Sequence, residues 1–329
     1  MYSGVINVYK EPGFTSFDVV AKLRGILKQK KIGHTGTLDP DAEGVLVVCL
    51  GKATKLCDIL TDKDKQYEAT LLLGRTTDTE DSSGQILSQR RVDVTEEEVR
   101  EAIMSFVGEY DQIPPMYSAI KVNGKKLYEL ARQGLEIERQ PRRVVIHEIE
   151  IQDICLPYVR FSVCCGKGTY IRSLCRDIGE RLGCGGVMDK LIRSSVNAAG
   201  AGRKFTSEDA LTLEEIEKLV GSPQPEECKA AKQPEKGDAL LAHIIAIDEL
   251  FPELDRYQVT EEGNGKLLNG NILKAEDFIS GDAPNGDGEK RGRPKELDKC
   301  LVYDKDGRFT AIYQYNGKIH AWKADKMFL

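Results

Sequence analysis

The chain switches between a strand period of two and a helix period near 3.6, and each switch marks an element. Residues 4–9 (GVINVY) read as a short strand. EPGFTS then turns the chain. Thr15 and Asp18 have capping-box spacing, and Val19, Leu23 and Ile26 follow at helical intervals, so a helix starts there. Residues 33–44 (GHTGTLDPDAEG) hold three glycines and a proline and form a loop. VLVVCL at 45–50 is an unbroken apolar run, the mark of a buried strand. YEATLLL at 67–73 alternates, placing Tyr67, Ala69, Leu71 and Leu73 on one face. Thr95 with Glu98 caps a second helix carrying Val99, Ile103 and Phe106, with Gly108 as its expected stop. Residues 144–151 and 158–165 read as paired strands. Residues 169–182 carry Ile171, Leu174, Ile178 and Leu182, an amphipathic helix ended by Gly183. Thr212 with Glu215 opens another helix.

Beyond it the pattern changes. Residues 222–238 and 281–299 are polar stretches that read as linkers or insertions. The last thirty residues hold an Asp306-Gly307 and an Asn316-Gly317 turn between β-rich runs, both hairpin signals. A larger mixed region is therefore followed by a small β-rich one. The length of 329 residues agrees, at about 150 residues per domain. The expected division is 1–245 and 246–329.

Composition adds exclusions. Hydrophobic residues make up 40% and charged residues 30%, which rules out global disorder. No apolar run approaches the roughly 18 residues that span a bilayer, and the N-terminus lacks a signal-peptide pattern. The expectation is a soluble cytoplasmic protein with no membrane partner. Nine cysteines, an odd number with no C-x-x-C, point to reduced thiols. Cys164 and Cys165 are adjacent in an alternating run, so one faces the core as a small hydrophobe.

A formal charge of -6 argues at first against a nucleic-acid partner. The sum hides its distribution. Residues 22–31 carry Lys22, Arg24, Lys28, Lys30 and Lys31 without an acid. Arg139 with Arg142 and Arg143, and Lys167 with Arg172 and Arg176, form two more basic clusters. Acidic runs at 78–81 and 93–101 mask them. Net charge governs solubility and nonspecific attraction and excludes no RNA partner here.

Several chemistries are absent as motifs. GKAT at 51–54 lacks P-loop spacing and has Ala53 where Ser or Thr is needed. GKGTYI at 166–171 lacks the third dinucleotide glycine. There is no G-x-S-x-G and no H-E-x-x-H. Neither a nucleotide cofactor nor a metal is expected. The densest signal is Gly33-His34-Thr35-Gly36-Thr37-Leu38-Asp39-Pro40. Glycines let the backbone approach a ligand closely, and Pro40 biases Asp39 toward an extended conformation. The loop would hold a carboxylate in a fixed pose. Taken alone, it also reads as a plain Asp-Pro turn.

With its surroundings, the loop resembles that of the TruB family of tRNA pseudouridine synthases. GVINVYKEPGFTS, Lys55 in GKATKL, Tyr67 in DKQYEATLLLG and TDTEDSSG at 77–84 follow in family order. So do QIPPMYSAIKVNGKKLYELARQG (112–134), GTYIRSLCRDIGERLG (168–183) and Leu191-Ile192-Arg193. The resemblance covers about the first 220 residues, and the tail resembles the small PUA-like RNA-binding domain of bacterial members. One departure is Glu11, which separates Lys10 from Pro12 where the family usually reads Asp-Lys-Pro.

The resemblance implies an α+β fold, with a mixed, largely antiparallel sheet and flanking helices. It implies isomerisation of uridine 55 in the T loop of tRNA, with the T arm as partner. Asp39 would be the nucleophile, Tyr67 would stack on the target base and assist proton transfer, and Arg172 would pair with Asp39. Tyr170 and Leu191 would line the uracil pocket, and His34 would enter the RNA loop. Lys55 matches a lysine near the site. Residues 112–143 would clamp the RNA. The reaction breaks an N-glycosidic bond and makes a C–C bond at the same sugar, so it consumes no cofactor. A carboxylate nucleophile divides one hard step into easier ones. A nearby arginine is expected to lower the Asp39 pKa below about 3.9. The protein is expected to act as a monomer. Two rival readings remain: a tRNA-binding or folding protein with secondary isomerase activity, and an isomerase acting on another RNA. The clamp segment and the lack of a long basic tail weigh against the second.

Overall fold

The computed structural model describes residues 1–197, 204–220, 239–279 and 294–329. The polar stretch 222–238 lies outside these residues, as do 281–293 of the second stretch. In chain order, β1 (Gly4–Lys10) leads into α1 (Ser16–Ile26), then β2 (Ile32–His34) and β3 (Glu43–Leu50). A 3-10 turn and α2 (Cys57–Thr61) precede β4 (Lys65–Leu73). The hairpin β5 (Arg75–Thr77) and β6 (Ile86–Gln89) follows, then α3 (Glu96–Met104) and β7 (Gly108–Gln112). The clamp segment holds β8 (Lys121–Val122), β9 (Lys125–Lys126) and α4 (Leu127–Ala131). The chain returns through β10 (Arg142–Cys155), β11 (Tyr158–Cys165), α5 (Ile171–Arg181) and β12 (Gly186–Asn197). After β13 (Lys204–Thr206), α6 (Leu213–Leu219) and β14 (Ile244–Ile245) come β15 (Asp255–Gln258) and α7 (Glu261–Leu268). Strands β16 (Lys299–Tyr303), β17 (Phe309–Asn316) and β18 (Ala321–Met327) end the chain.

The main sheet runs β14-β1-β3-β12-β4-β11-β10-β7, with β2 on β3 and β13 on β12. Every pair is antiparallel except β3 with β12. The expected α+β class, with a largely antiparallel sheet, is what the chain adopts.

Strands β1 and β3 are buried on both faces, which explains the unbroken run VLVVCL. Ile6, Val8, Leu46 and Val48 pack with Val19 and Leu23 of α1 and Leu213 and Ile216 of α6. Val5, Val45, Val47 and Cys49 face the other way, onto Leu56, Leu60 and the C-terminal Leu301, Ile312 and Phe328. The remaining half of the sheet covers its core with Val99 and Ile103 of α3 and Leu174 and Ile178 of α5. Tyr67, Ala69, Leu71 and Leu73 all point into that core, in the register the alternation gives. Cys165 is buried among them and Cys164 is half-buried.

The three capping boxes form as spaced, at Thr15/Asp18, Thr95/Glu98 and Thr212/Glu215. Gly108 departs from expectation: α3 ends at Met104, and Gly108, at φ +106°, opens β7 instead. The helix at 169–182 starts later than its periodicity suggests, because Tyr170 is its extended N-cap. Gly183, at φ +73°, follows its end as expected.

A second sheet of β15-β16-β17-β18 forms the C-terminal unit. Gly307 turns β16 into β17 at φ +76°. The Asn316-Gly317 turn works differently. Asn316 Oδ1 accepts from the Lys318 and Ile319 amides, and the left-handed residue is His320, at φ +48°. Lys326 pairs with Asp58 at 2.8 Å, so this sheet is stitched to the larger unit as well as packed on it.

Candidate active site

Asp39 lies on the loop between β2 and β3, and five side chains fix that loop. Lys10 occupies an inward position of β1, fully buried, and its Nζ donates to the carbonyls of Glu11, Pro40 and Ala42. Burial pushes its pKa down to about 8, so at neutral pH it is a cation with its donors spent on the loop. Glu11, the departure from the family opening, thus supplies one of the three acceptors. Ser16 Oγ accepts from the Leu38 amide at 2.8 Å. Leu38 is buried in the cluster that holds Tyr67, Ile171 and Leu191. Arg193 donates from Nε to Val45 O and from Nη2 to Gly36 O. The loop closes where β3 crosses β12: a Cβ on Gly44, at φ +104°, would lie 2.3 Å from Arg193 O.

The fifth anchor is Arg172, in the first turn of α5. Its Nε meets Asp39 Oδ2 at 2.9 Å and its Nη2 donates to Oδ1 at 3.1 Å, a bidentate pair. The guanidinium is buried, whereas the Asp39 side chain keeps about a third of its surface open. Arg172 also donates to Thr79 O at 3.0 Å and Tyr117 O at 2.9 Å, and Asp81 stands 3.9 Å away. Close contact of α5 with β12 sets where Arg172 sits. A Cβ on Gly179 would meet Gly186 N at 2.1 Å, so only glycine lets the helix seat there. Gln112 brackets Tyr170, accepting from its amide at 2.8 Å and donating to its carbonyl at 3.0 Å.

The expected site residues assemble, with one exception. Tyr67 on β4 is the cross-strand neighbour of Arg193, and Leu191 pairs with Ala69 on the same strand. Tyr67, Tyr170 and Asp39 are close enough for the Asp39 charge to act on both phenols. Burial raises both phenol pKa values, which keeps the rings neutral. His34 is half-buried on β2; its Nδ1 accepts from the Gly36 amide, and burial with the Arg193 charge lowers its pKa, favouring the neutral ring. Lys55 does not join the group. Its Nζ donates to Met327 O at 2.6 Å, at the junction with the C-terminal sheet.

The expected acidity of Asp39 is corrected in sign. Burial raises its pKa, and outweighs the lowering by Arg172. The loop that positions the carboxylate also withdraws it from water.

Lys10, Arg193, Asp81 and Gln112 were not legible as site residues. The first two carried a usable signal, a cation at an inward strand register: Lys10 in line with Ile6 and Val8, Arg193 with Leu191. The basic clusters also change. Arg143 pairs with Asp111 and Glu109, Lys167 with Asp62, and Arg176 with Glu80 and Asp177. Among the described residues none of Lys22, Arg24, Lys28, Lys30 and Lys31 pairs with a carboxylate.

Known proteins are similar to this chain. The family described as TruB family pseudouridylate synthase (N terminal domain) matches residues 24–171. The tRNA pseudouridylate synthase B C-terminal domain matches residues 172–251. The second match ends before the four-stranded sheet and covers α5 and β12 of the main one. A tRNA pseudouridine synthase B from Lachnoclostridium phytofermentans is 52% identical over 99% of this chain and 100% of its own length. One from Clostridium novyi is 42% identical over 99% of this chain and all of its own. Among solved structures, a Cbf5-Nop10-Gar1 complex contains a chain similar over 99% of this chain and 85% of its own, with a TM-score of 0.65 and 25% identity.

Proposed function

The chain belongs to the TruB family of pseudouridylate synthases and makes pseudouridine in tRNA, and from that premise we propose that Asp39 is the nucleophile that isomerises uridine 55 of the T loop. The observation that carries this reading is the bidentate pair: a part-open carboxylate held by a buried arginine on a loop anchored from four further sides. The reaction moves C1′ from N1 to C5 of the same uracil, releases the C5 proton and leaves a proton on N1. Asp39, ionised, forms the transient bond to the target nucleotide while the N-glycosidic bond is broken. Arg172 keeps the carboxylate ionised and aimed. Tyr67 offers a neutral aromatic face to the base, and such stacking is worth roughly 1–3 kcal/mol per base. Tyr170 and Leu191 wall the pocket. His34, neutral, enters the RNA loop beside the flipped base and offsets part of the unstacking cost.

The T arm is read by shape and by its unstacked bases. Lys121, Lys125, Lys126 and Arg132 of the clamp and the basic run at 22–31 contact phosphates. Residues 1–245 act as the catalytic domain and 246–329 as a PUA-like RNA-binding domain. Lys55, fixed to Met327, supports the joint between them rather than the chemistry. The enzyme works as a monomer in the cytoplasm. No described helix is long and apolar enough to cross a membrane.

The test is tritium release from tRNA labelled at uridine C5. Asp39→Asn should lower the single-turnover rate by about a thousand-fold or more. Activity within ten-fold of the parent would remove Asp39 from the role. Pseudouridine mapping on the product assigns the position.

A further inference from the structure

Glu80 takes no part in the pair just described, yet it is buried, with its side chain 9% exposed. It is not glycine, yet it holds φ +64°, a conformation such residues occupy only where surrounding structure compels it. Its carboxylate gathers two elements, α5 and the clamp. Oε2 accepts from Ser173 Oγ of α5 at 2.6 Å. Oε1 pairs with Arg176 of α5, and Arg139 of the returning clamp arm lies 3.9 Å from the same oxygen.

Both arginines also grip the outgoing arm. Arg176 Nη2 donates to Ile113 O at 3.0 Å, and Arg139 Nη1 to Pro114 O at 3.1 Å. Three residues beyond Pro114 is Tyr117, whose carbonyl accepts from Arg172. On the other side, Glu80 follows Thr79, the second carbonyl acceptor of Arg172. A cavity of about 490 Å³, lined by Met116, Tyr117 and Leu135 together with Glu80, Arg139 and Arg176, separates clamp from helix.

We propose that Glu80 is a positioning residue for the isomerisation: by anchoring Arg139 and Arg176 it fixes both roots of the clamp to α5, and so holds the Tyr117 carbonyl against Arg172 and Arg172 against Asp39. The clamp that grips RNA is in this way part of the frame that aims the nucleophile. Glu80 touches no reacting atom and acts through Arg172. The proposal rests on the tRNA pseudouridine synthase reading above.

The experiment uses the full-length protein and C5-tritiated tRNA at a temperature well below each variant's melting point. Parent turnover is the control for the underlying reading: no tritium release there overturns that reading rather than this one. Glu80→Gln should lower kcat by about ten-fold, with KM changed less than three-fold. Adding Arg139→Gln to it should cost no more than about two-fold further, because the two act as one unit. If Glu80→Gln does not fold, Arg139→Gln alone, on a less buried arm, should give the same loss in kcat. A folded Glu80→Gln protein with kcat within two-fold of the parent overturns the proposal. So does a double variant in which the two losses multiply, since that is the behaviour of independent residues.

Discussion

The loop that carries Asp39 and the segment proposed to clamp RNA are built on opposite plans. The loop spans a few residues and receives bonds from β1, α1, β12 and α5, with Leu38 and Ala42 in the core. The clamp between Gln112 and Arg142 runs long, its strands have two residues each, and Leu127 is its one buried side chain beyond Ser118. Its tip is a β-hairpin with Asn123 and Gly124 both at positive φ, a conformation set locally by the dipeptide. Segments with few buried contacts open at low free-energy cost. Chemistry demands a fixed dipole arrangement, whereas a structured RNA demands a surface that can adjust. The molecule meets both needs by confining rigidity to the loop and to the roots of the clamp.

The contrast can be broken most sharply at Arg172. Arg172→Lys keeps a cation but loses the fork, so single-turnover tritium release should fall about a hundred-fold with tRNA affinity little changed. Equal losses in both would mean that Arg172 serves binding more than aim. Next in size is Lys10→Met, which leaves three carbonyls without their donor. Unfolding in urea should show a loss of about 2–3 kcal/mol, and the rate should drop with it. Unchanged stability would show that the loop is held without Lys10. At the clamp the effect should shift from rate to affinity. Lys125→Ala with Lys126→Ala should weaken tRNA binding about ten-fold and flatten the log Kd against log salt slope by about 1.5, leaving kcat nearly intact.

The smallest effect is in pH. As the proposed nucleophile Asp39 must be ionised, and burial raises its pKa. Activity is therefore retained above the folded-state value and lost as pH falls through it. The acid limb of kcat/KM should lie above the 3.9 of a free aspartate. A limb at or below that value would mean that Arg172 outweighs burial after all.

Much of the fold was readable because its determinants are local. Three capping boxes, the alternation of 67–73, the paired runs at 144–151 and 158–165 and the doubly buried 45–50 all stand where the periodicity puts them. Gly108 misled because one residue type serves two ends: a positive φ closes a helix or opens a strand, and spacing alone does not choose. Two of the three basic clusters misled for another reason. Arg143 and Asp111 lie far apart in sequence, and only the pairing of β7 with β10 brings them together. A charge count along the chain sees the cation and misses its partner.

The sequence by itself determined the elements, the class of fold and, through an ordered set of motifs, the family, and it named the residues proposed for the pocket. Those are properties of neighbours in the chain or of short patterns that survive without coordinates. Only the tertiary structure decided that Lys10 and Arg193 hold the Asp39 loop, that Lys55 belongs to the domain junction, and that Glu80 ties the clamp to α5. It also decided the sign of the Asp39 shift. Desolvation and ion pairing compete there, and the outcome depends on how much protein encloses the carboxylate, a quantity set by the packing of four distant segments around it.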